Sequence, residues 1–164
     1  METNTKSRRI LGIDPGTGIL GFGVIDIDSK GKLKLVDAGV IRTPVNEEDS
    51  ERLLTIYNEL SEIVKEHKPT IMSVEKLFFA QNVTTAMSVS QARGVVLLIG
   101  KQAKLDLFEY TPQQIKMALT SYGKATKRQI QEMVKIILGL KEYPKPDDCA
   151  DALAAAICHS MTMR

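Results

Sequence analysis

The chain has 164 residues, 43% of them hydrophobic and 26% charged, with a formal charge of +2 at pH 7. That balance excludes a disordered tail protein, a collagen-like chain and a coiled-coil rod, and a chain of this length buries roughly 70% of its unfolded surface without needing staples. The near-neutral total hides a polarity, because residues 44–66 carry seven acids and two bases whereas residues 111–145 carry seven bases and two acids. Net charge alone does not point to nucleic acid, but a local basic face can.

Residues 1–7 are polar and lack the apolar core of a signal peptide; they read as a flexible tail before one domain at residues 8–164. The longest unbroken apolar run, residues 152–158, has seven residues. A bilayer span needs about 20, so a cytoplasmic protein without a membrane segment is expected. Cys149 and Cys158 fall on one predicted helix, with their Cα atoms roughly 13 Å apart. A disulfide needs about 7 Å or less, and with His159 they match no zinc spacing. They read as small buried apolar residues.

In chain order, residues 8–14 (RRILGID) predict a strand with apolar residues on both faces, ended by Pro15-Gly16-Thr17-Gly18. Residues 20–28 and 33–43 predict two more strands, and the short connections make the three an antiparallel meander. The period then changes. Asp49 or Ser50 is the expected cap of a helix reaching His67, with Leu53, Ile56, Tyr57, Leu60, Ile63 and Val64 on one face, stopped by Pro69. Residues 70–78 predict a fourth strand, 84–104 a long helix and 105–110 a fifth strand. Thr111-Pro112 starts a helix with Pro at its first position. Thr126 and Gln129 form a capping box for the next helix, which ends near Gly139. Asp147 is the expected N-cap of a last helix running to the C-terminus. The order β-β-β-α-β-α-β-α-α-α predicts an α/β fold, a five-stranded mixed sheet flanked by helices, with the antiparallel meander first and β/α alternation after it.

Four acids stand out on this frame. Asp14 ends the first strand, and Glu75 lies near the end of the fourth inside an otherwise apolar run, where an unpaired acid is costly. Asp148 and Asp151 share one face of the last helix among Ala150, Ala152, Ala154, Ala155 and Ala156. Those small side chains let the helix lie close to the sheet. Taken singly, Asp14 before Pro-Gly suits a turn and Asp148 suits a helix first turn. Asp151 has no evident basic partner in sequence. Two carboxylates about 4 Å apart repel by roughly 4 kcal/mol at an effective dielectric of 20. If the four converge, a divalent cation removes the conflict, and oxygen ligands without Cys or His suit Mg2+ or Mn2+.

Four segments carry a family resemblance: LGIDPGTGILGFGVID at residues 11–26, SVEKLFFAQN at 73–82, QARGV at 91–95 and DCADALAAAICH at 148–159. Together, in this order and spacing, they resemble the RuvC family of bacterial Holliday (crossover) junction endodeoxyribonucleases. The match is collinear over nearly the whole chain. It implies a ribonuclease H-like fold and a four-carboxylate site at Asp14, Glu75, Asp148 and Asp151, which are then both catalytic and metal-binding. It implies a homodimer that places two symmetric nicks across four-way junction DNA during recombination and repair, and contacts with the branch-migration proteins RuvA and RuvB.

On this reading two Mg2+ ions act at each site, with Mn2+ able to substitute. One activates the attacking water and the other stabilises the leaving 3′ oxygen, with Asp14 bridging both. Phe78 matches an aromatic that probes bases near the crossover, and Phe79 is a second candidate. Lys116 and Lys127 match residues that contact the junction backbone, and Lys124 and Arg128 extend that patch. The helix at 84–104 holds five consecutive apolar residues, Val95 to Ile99, and so needs cover on more than one side. A second subunit supplies that cover, and the resemblance puts the dimer interface on this same helix. Three alternatives stand beside this reading. One is a ribonuclease H-like nuclease with another nucleic-acid substrate. The others are an actin- or sugar-kinase-like ATP-binding domain, suggested by Asp14-Pro15-Gly16-Thr17, and a protein that holds junctions without cutting them.

Overall fold

The computed structural model describes residues 8–76 and 83–163. Three strands, β1 (Arg8–Asp14), β2 (Ile19–Ile27) and β3 (Leu33–Arg42), form the meander; helix α1 (Asp49–His67) follows, then β4 (Ile71–Glu75). The long helix α2 (Val83–Gln102) leads to β5 (Asp106–Tyr110), and α3 (Pro112–Thr120), α4 (Lys127–Leu138) and α5 (Asp147–Thr162) complete the chain. The element order is the expected one. The sheet order is β3-β2-β1-β4-β5. β1 is antiparallel to β2 and parallel to β4, so the mixed sheet changes character at β1.

Alternation along the strands sorts the chain into two cores. Ile10, Ile25 and Ile71 pack with α3, α4 and α5. Leu11, Ile13, Met72 and Val74 point the other way and pack with Ile56 and Leu60 of α1 and Ala92, Val96 and Ile99 of α2. By the same alternation Gly12 and Asp14 share the α5 face with Ile10, and Ser73 and Glu75 share it with Ile71.

The α5 face has a trough. Gly12 of β1 is in register with Gly23 of β2 on one side and with Ser73 of β4 on the other, giving a row of small residues across three strands. A Cβ on Gly12 would sit 2.0 Å from the Ala152 carbonyl oxygen, and one on Gly23 would sit 2.5 Å from Leu153. Gly21 leaves the same room for the backbone of Asp148. Ser73 Oγ donates to the Ala155 carbonyl at 2.7 Å, so the small polar residue in the row is satisfied by the helix it faces. Alanines on α5 meet glycines on the sheet, and the acid-bearing first turns of α5 are brought down onto the strand ends.

Several helix ends differ from expectation. The residue before α1 is Glu48, which makes no side-chain cap, and Asp49 is the first helical residue. Likewise Pro146, not Asp147, occupies the N-cap of α5. Asp147 is already helical, and its carboxylate is engaged by α4, as described below. The Thr111 and Thr126 capping boxes both form. β4 stops at Glu75, which makes that acid the last strand residue. Helix α2 is long and apolar enough, by length and composition, to cross a membrane. It lies instead on the sheet through Ala92, Val96, Ile99 and Gly100 and leaves Val83, Met87 and Leu98 exposed. Cys149 and Cys158 are free and buried.

The trough gives a direct test. Gly12→Ala places a methyl group into the Ala152 carbonyl and should cost about 1–3 kcal/mol of stability. Denaturant unfolding reads this, and an unchanged midpoint would mean that α5 does not approach the sheet so closely.

Candidate active site

Asp14 and Glu75 end two adjacent parallel strands. Ile13 is in register with Val74, so the next residue on each strand is one of these acids. Both side chains turn to the α5 face. Across from them, α5 presents Asp148 in its first turn and Asp151 one turn further on. The carboxyls of Asp14 and Glu75 are hydrogen-bonded to each other, and Asp14 feels the charges of both Asp148 and Asp151. The structure thus brings together all four acids singled out in the sequence.

Electrostatics records how close they are. Burial, and then Glu75 beside it, push the Asp14 carboxyl up to about 9, with Asp151 and Asp148 adding to the rise. Burial also raises Glu75, against the hydrogen bond from Asp14, which favours its charged form. Asp151 is raised by burial too, with Lys127 working against the rise.

Lys127 is a partner that the sequence did not reveal. Its Nζ lies 3.7 Å from Asp151 Oδ2 and 3.5 Å from Asp147 Oδ2. Asp147 Oδ1 also accepts from Gln131 Nε2 at 3.0 Å. The expectation that Asp151 lacks a basic partner is therefore corrected: α4, distant in sequence, delivers one. Capping boxes were readable as local patterns, but no local signal marks Gln131 or links residue 127 to 151.

A recess of about 230 Å³ opens beside the cluster, lined by Glu75, Asp151, Lys116 and Lys127 with Pro112, Ile115, Ile130 and Ala154. Lys116 and Lys127 both lower the Glu75 carboxyl and so stand within electrostatic reach of it. Arg128 is placed differently, with its guanidinium 3.9 Å above the Tyr143 ring and Lys135 4.7 Å from the same ring. Lys124 lies in the exposed turn between α3 and α4. Phe78 and Phe79 lie outside the described residues.

The donor set suits hard divalent cations: four carboxylates, no thiolate or imidazole, and a buried pair that must otherwise share a proton. As they stand, no three acidic, histidine or cysteine side chains among the described residues are gathered tightly enough to ligate one ion. Holding one ion there would need the Asp14–Glu75 hydrogen bond to open and Asp151 to turn from Lys127.

A meander continued by parallel strands, with acids at the β1 and β4 ends faced by acids on a closely seated helix, defines a ribonuclease H-like nuclease. The family model described as crossover junction endodeoxyribonuclease RuvC matches residues 10–159. A curated RuvC from Desulfitobacterium hafniense is 55% identical over 152 residues, covering 92% of this chain and 91% of that protein. The solved structure of Thermus thermophilus RuvC superposes with a TM-score of 0.88 at 37% identity, covering 95% of each chain. A second structure of the Thermus thermophilus protein, in complex with Holliday junction substrate, gives a TM-score of 0.87 at 35% identity and covers 95% of each chain. The chain belongs to the RuvC family of crossover junction endodeoxyribonucleases, which are metal-dependent hydrolases. Family membership sets aside the sugar-kinase-like alternative.

The raised Asp14 carboxyl has a measurable consequence. In the fold Asp14 keeps its proton to about pH 9, whereas in the unfolded chain it loses it near pH 4. Between those values the unfolded state binds fewer protons, so stability falls as pH rises through this window. With divalent ions chelated, the wild-type melting temperature should decline between pH 5 and 9, and Asp14→Asn should remove most of that decline. Adding Mg2+ at pH 8 should raise the wild-type melting temperature and leave that of the variant unchanged.

Proposed function

We propose that this chain is a structure-specific endonuclease that resolves four-way DNA junctions by paired, symmetric hydrolysis of phosphodiesters. The observation that carries the reading is the convergence of Asp14, Glu75, Asp148 and Asp151 at one end of the sheet in a member of this family. The Thermus thermophilus relative, solved in complex with a Holliday junction substrate, supports the choice of DNA.

Asp14, largely buried and in contact with Glu75, is the central ligand, and Glu75, Asp148 and Asp151 complete the set. When bound, two Mg2+ ions, or Mn2+ in their place, supply activation of the attacking water and neutralisation of the leaving 3′ oxygen. The protein's own contribution is to hold four carboxylates on rigid strand ends and a rigid helix, and to line the approach with cations. Lys116 and Lys127 border the recess beside Glu75 and Asp151, where a phosphate backbone would run. Lys124 and Arg128 stand on either side of Lys127 in sequence and extend its basic stretch, and Phe78 and Phe79 follow Glu75 closely enough in sequence to reach bases beside the scissile strand.

Two symmetric cuts require two sites, and α2 offers the surface for pairing. Val83, Met87 and Leu98 are 75%, 63% and 53% exposed, an apolar face on the helix that covers one side of the sheet. A second copy of the chain packed on this face gives a homodimer. RuvA and RuvB are the branch-migration partners that family membership supports, and work on DNA junctions fits a cytoplasmic protein.

A synthetic four-way junction tests the activity. Asp14→Asn should lower magnesium-dependent nicking about a thousandfold or more while leaving junction binding in place. Linear duplex and RNA–DNA hybrid should be cut poorly beside it. Preference for the hybrid would favour the other nuclease reading, and binding without nicks would favour a junction-holding protein. Lys116→Ala with Lys127→Ala should weaken binding and reduce the slope of log K against log salt by about 2. Leu98→Glu should yield a monomer by light scattering, and a persisting dimer would remove α2 from the interface.

A further inference from the structure

Lys127 occupies an unusual place for a cation. It is the first residue of α4, where the helix dipole disfavours positive charge, and the first turn of α4 contains no acid. The compensation comes from α5. Lys127 and Gln131, one turn apart on the same face of α4, grip the two oxygens of Asp147: Lys127 is 3.5 Å from Oδ2, and Gln131 Nε2 donates to Oδ1 at 3.0 Å. Gln131 is buried, so its amide would be costly there without this bond. Asp147 itself sits at the rim, more exposed than Asp151. From this anchorage the ammonium reaches inward to Asp151 at 3.7 Å. Among the described residues, no other lysine or arginine forms an ion pair with Asp14, Glu75, Asp148 or Asp151.

We propose that Asp147, oriented by Gln131, is a positioning residue that holds Lys127 at the mouth of the acid cluster, where its ammonium competes with a divalent cation for Asp151. This rests on the reading of the four acids as metal ligands. An ammonium at the mouth lowers the repulsion among the buried carboxylates when no divalent ion is present. Once Asp151 turns to a divalent ion, Asp147 is the remaining partner of Lys127 and keeps it at the rim of the recess. There it lines one recess with Lys116 and Glu75, where the proposed function runs the DNA backbone. The phosphate then takes the ammonium that Asp151 has given up. Junction and divalent ion each weaken the same ion pair, so each favours the other's binding, by a reciprocal amount.

The test is a Mn2+ titration of the full chain freed of divalent ions, without DNA, on wild type, K127M, K116M, D147N, the K127M/D147N pair and D14N. Circular dichroism melts confirm that each variant is folded. Asn at 147 keeps an acceptor for Gln131 through its Oδ1, while the charge and the acceptor facing Lys127 are both removed. K127M should bind Mn2+ about three- to fivefold more tightly than wild type, whereas K116M, whose lysine lines the same recess but forms no ion pair among the described residues, should change it less than twofold. D147N frees Lys127 to settle on Asp151 and should weaken Mn2+ binding about threefold, and most of that loss should vanish in the K127M background. K127M should also bind junction DNA more weakly, so the two ligands move in opposite directions in one variant. Equal effects of K127M and K116M, or a D147N effect that is the same with and without Lys127, would overturn the proposal while leaving the metal site in place. Undiminished Mn2+ binding by D14N would instead overturn the metal-site reading itself.

Discussion

The contact on which the rest depends is the seating of α5 in the small-residue row of the sheet. Gly12, Gly23 and Ser73 lie side by side on three strands and face Ala152, Leu153, Ala155 and Ala156. No larger residue fits at Gly12, because the space is already filled by a helix carbonyl. This close packing does more than bury apolar area. It sets the height of the α5 first turns above the strand ends, and with it the separation between the acids of the helix and those of β1 and β4. A helix held further from the sheet by ordinary side chains would carry the same acids too far away to act on the same ion.

That closeness has an electrostatic cost, which is met locally. Four carboxylates at one end of the sheet, two of them hydrogen-bonded to each other and largely desolvated, favour protons over charge. The fold answers with one shared proton on the Asp14–Glu75 pair and one ammonium on Asp151, delivered from α4 and anchored by Asp147. The same imbalance suits the cluster to hard divalent cations. Binding of such an ion would return stability given up in folding around buried acids, since a ligand held by the folded state alone stabilises it. The opposite face of the sheet serves a separate purpose. There α1 and α2 close the second core, and α2 keeps an apolar outer stripe that no described residue of the chain covers.

Much of this architecture was legible from residues 8–164 alone. Short apolar runs bounded by turn residues located the strands, the switch to a period near 3.6 located the helices, and Thr111-Pro112 and the Thr126 box marked two helix starts correctly. The four acids stood out because Glu75 and Asp151 break apolar surroundings where an unpaired charge is costly. Ends were harder to read. Asp147 and Asp49 both look like N-caps, yet each is the first helical residue, because Pro146 and Glu48 already adopt the extended backbone conformation of a cap. The basic segment at 111–145 was visible as a count of charges. Its division into Lys127 at the acid cluster and Arg128 on Tyr143 was not, since adjacent residues on a helix point about 100° apart and only the neighbours decide what each one meets.

The sequence by itself determined the elements, their order and the identity of the four acids, because these depend on periodicity, turn chemistry and the cost of burying charge, all of which act within a few residues. The tertiary structure alone decided that Asp14 and Glu75 are neighbours on parallel strands, that Gly12 admits the Ala152 carbonyl, and that Lys127 pairs with Asp147 and Asp151. Those relations join residues tens of positions apart. They follow from strand register and helix seating, which are set by the packing of the whole core and by no short stretch of chain.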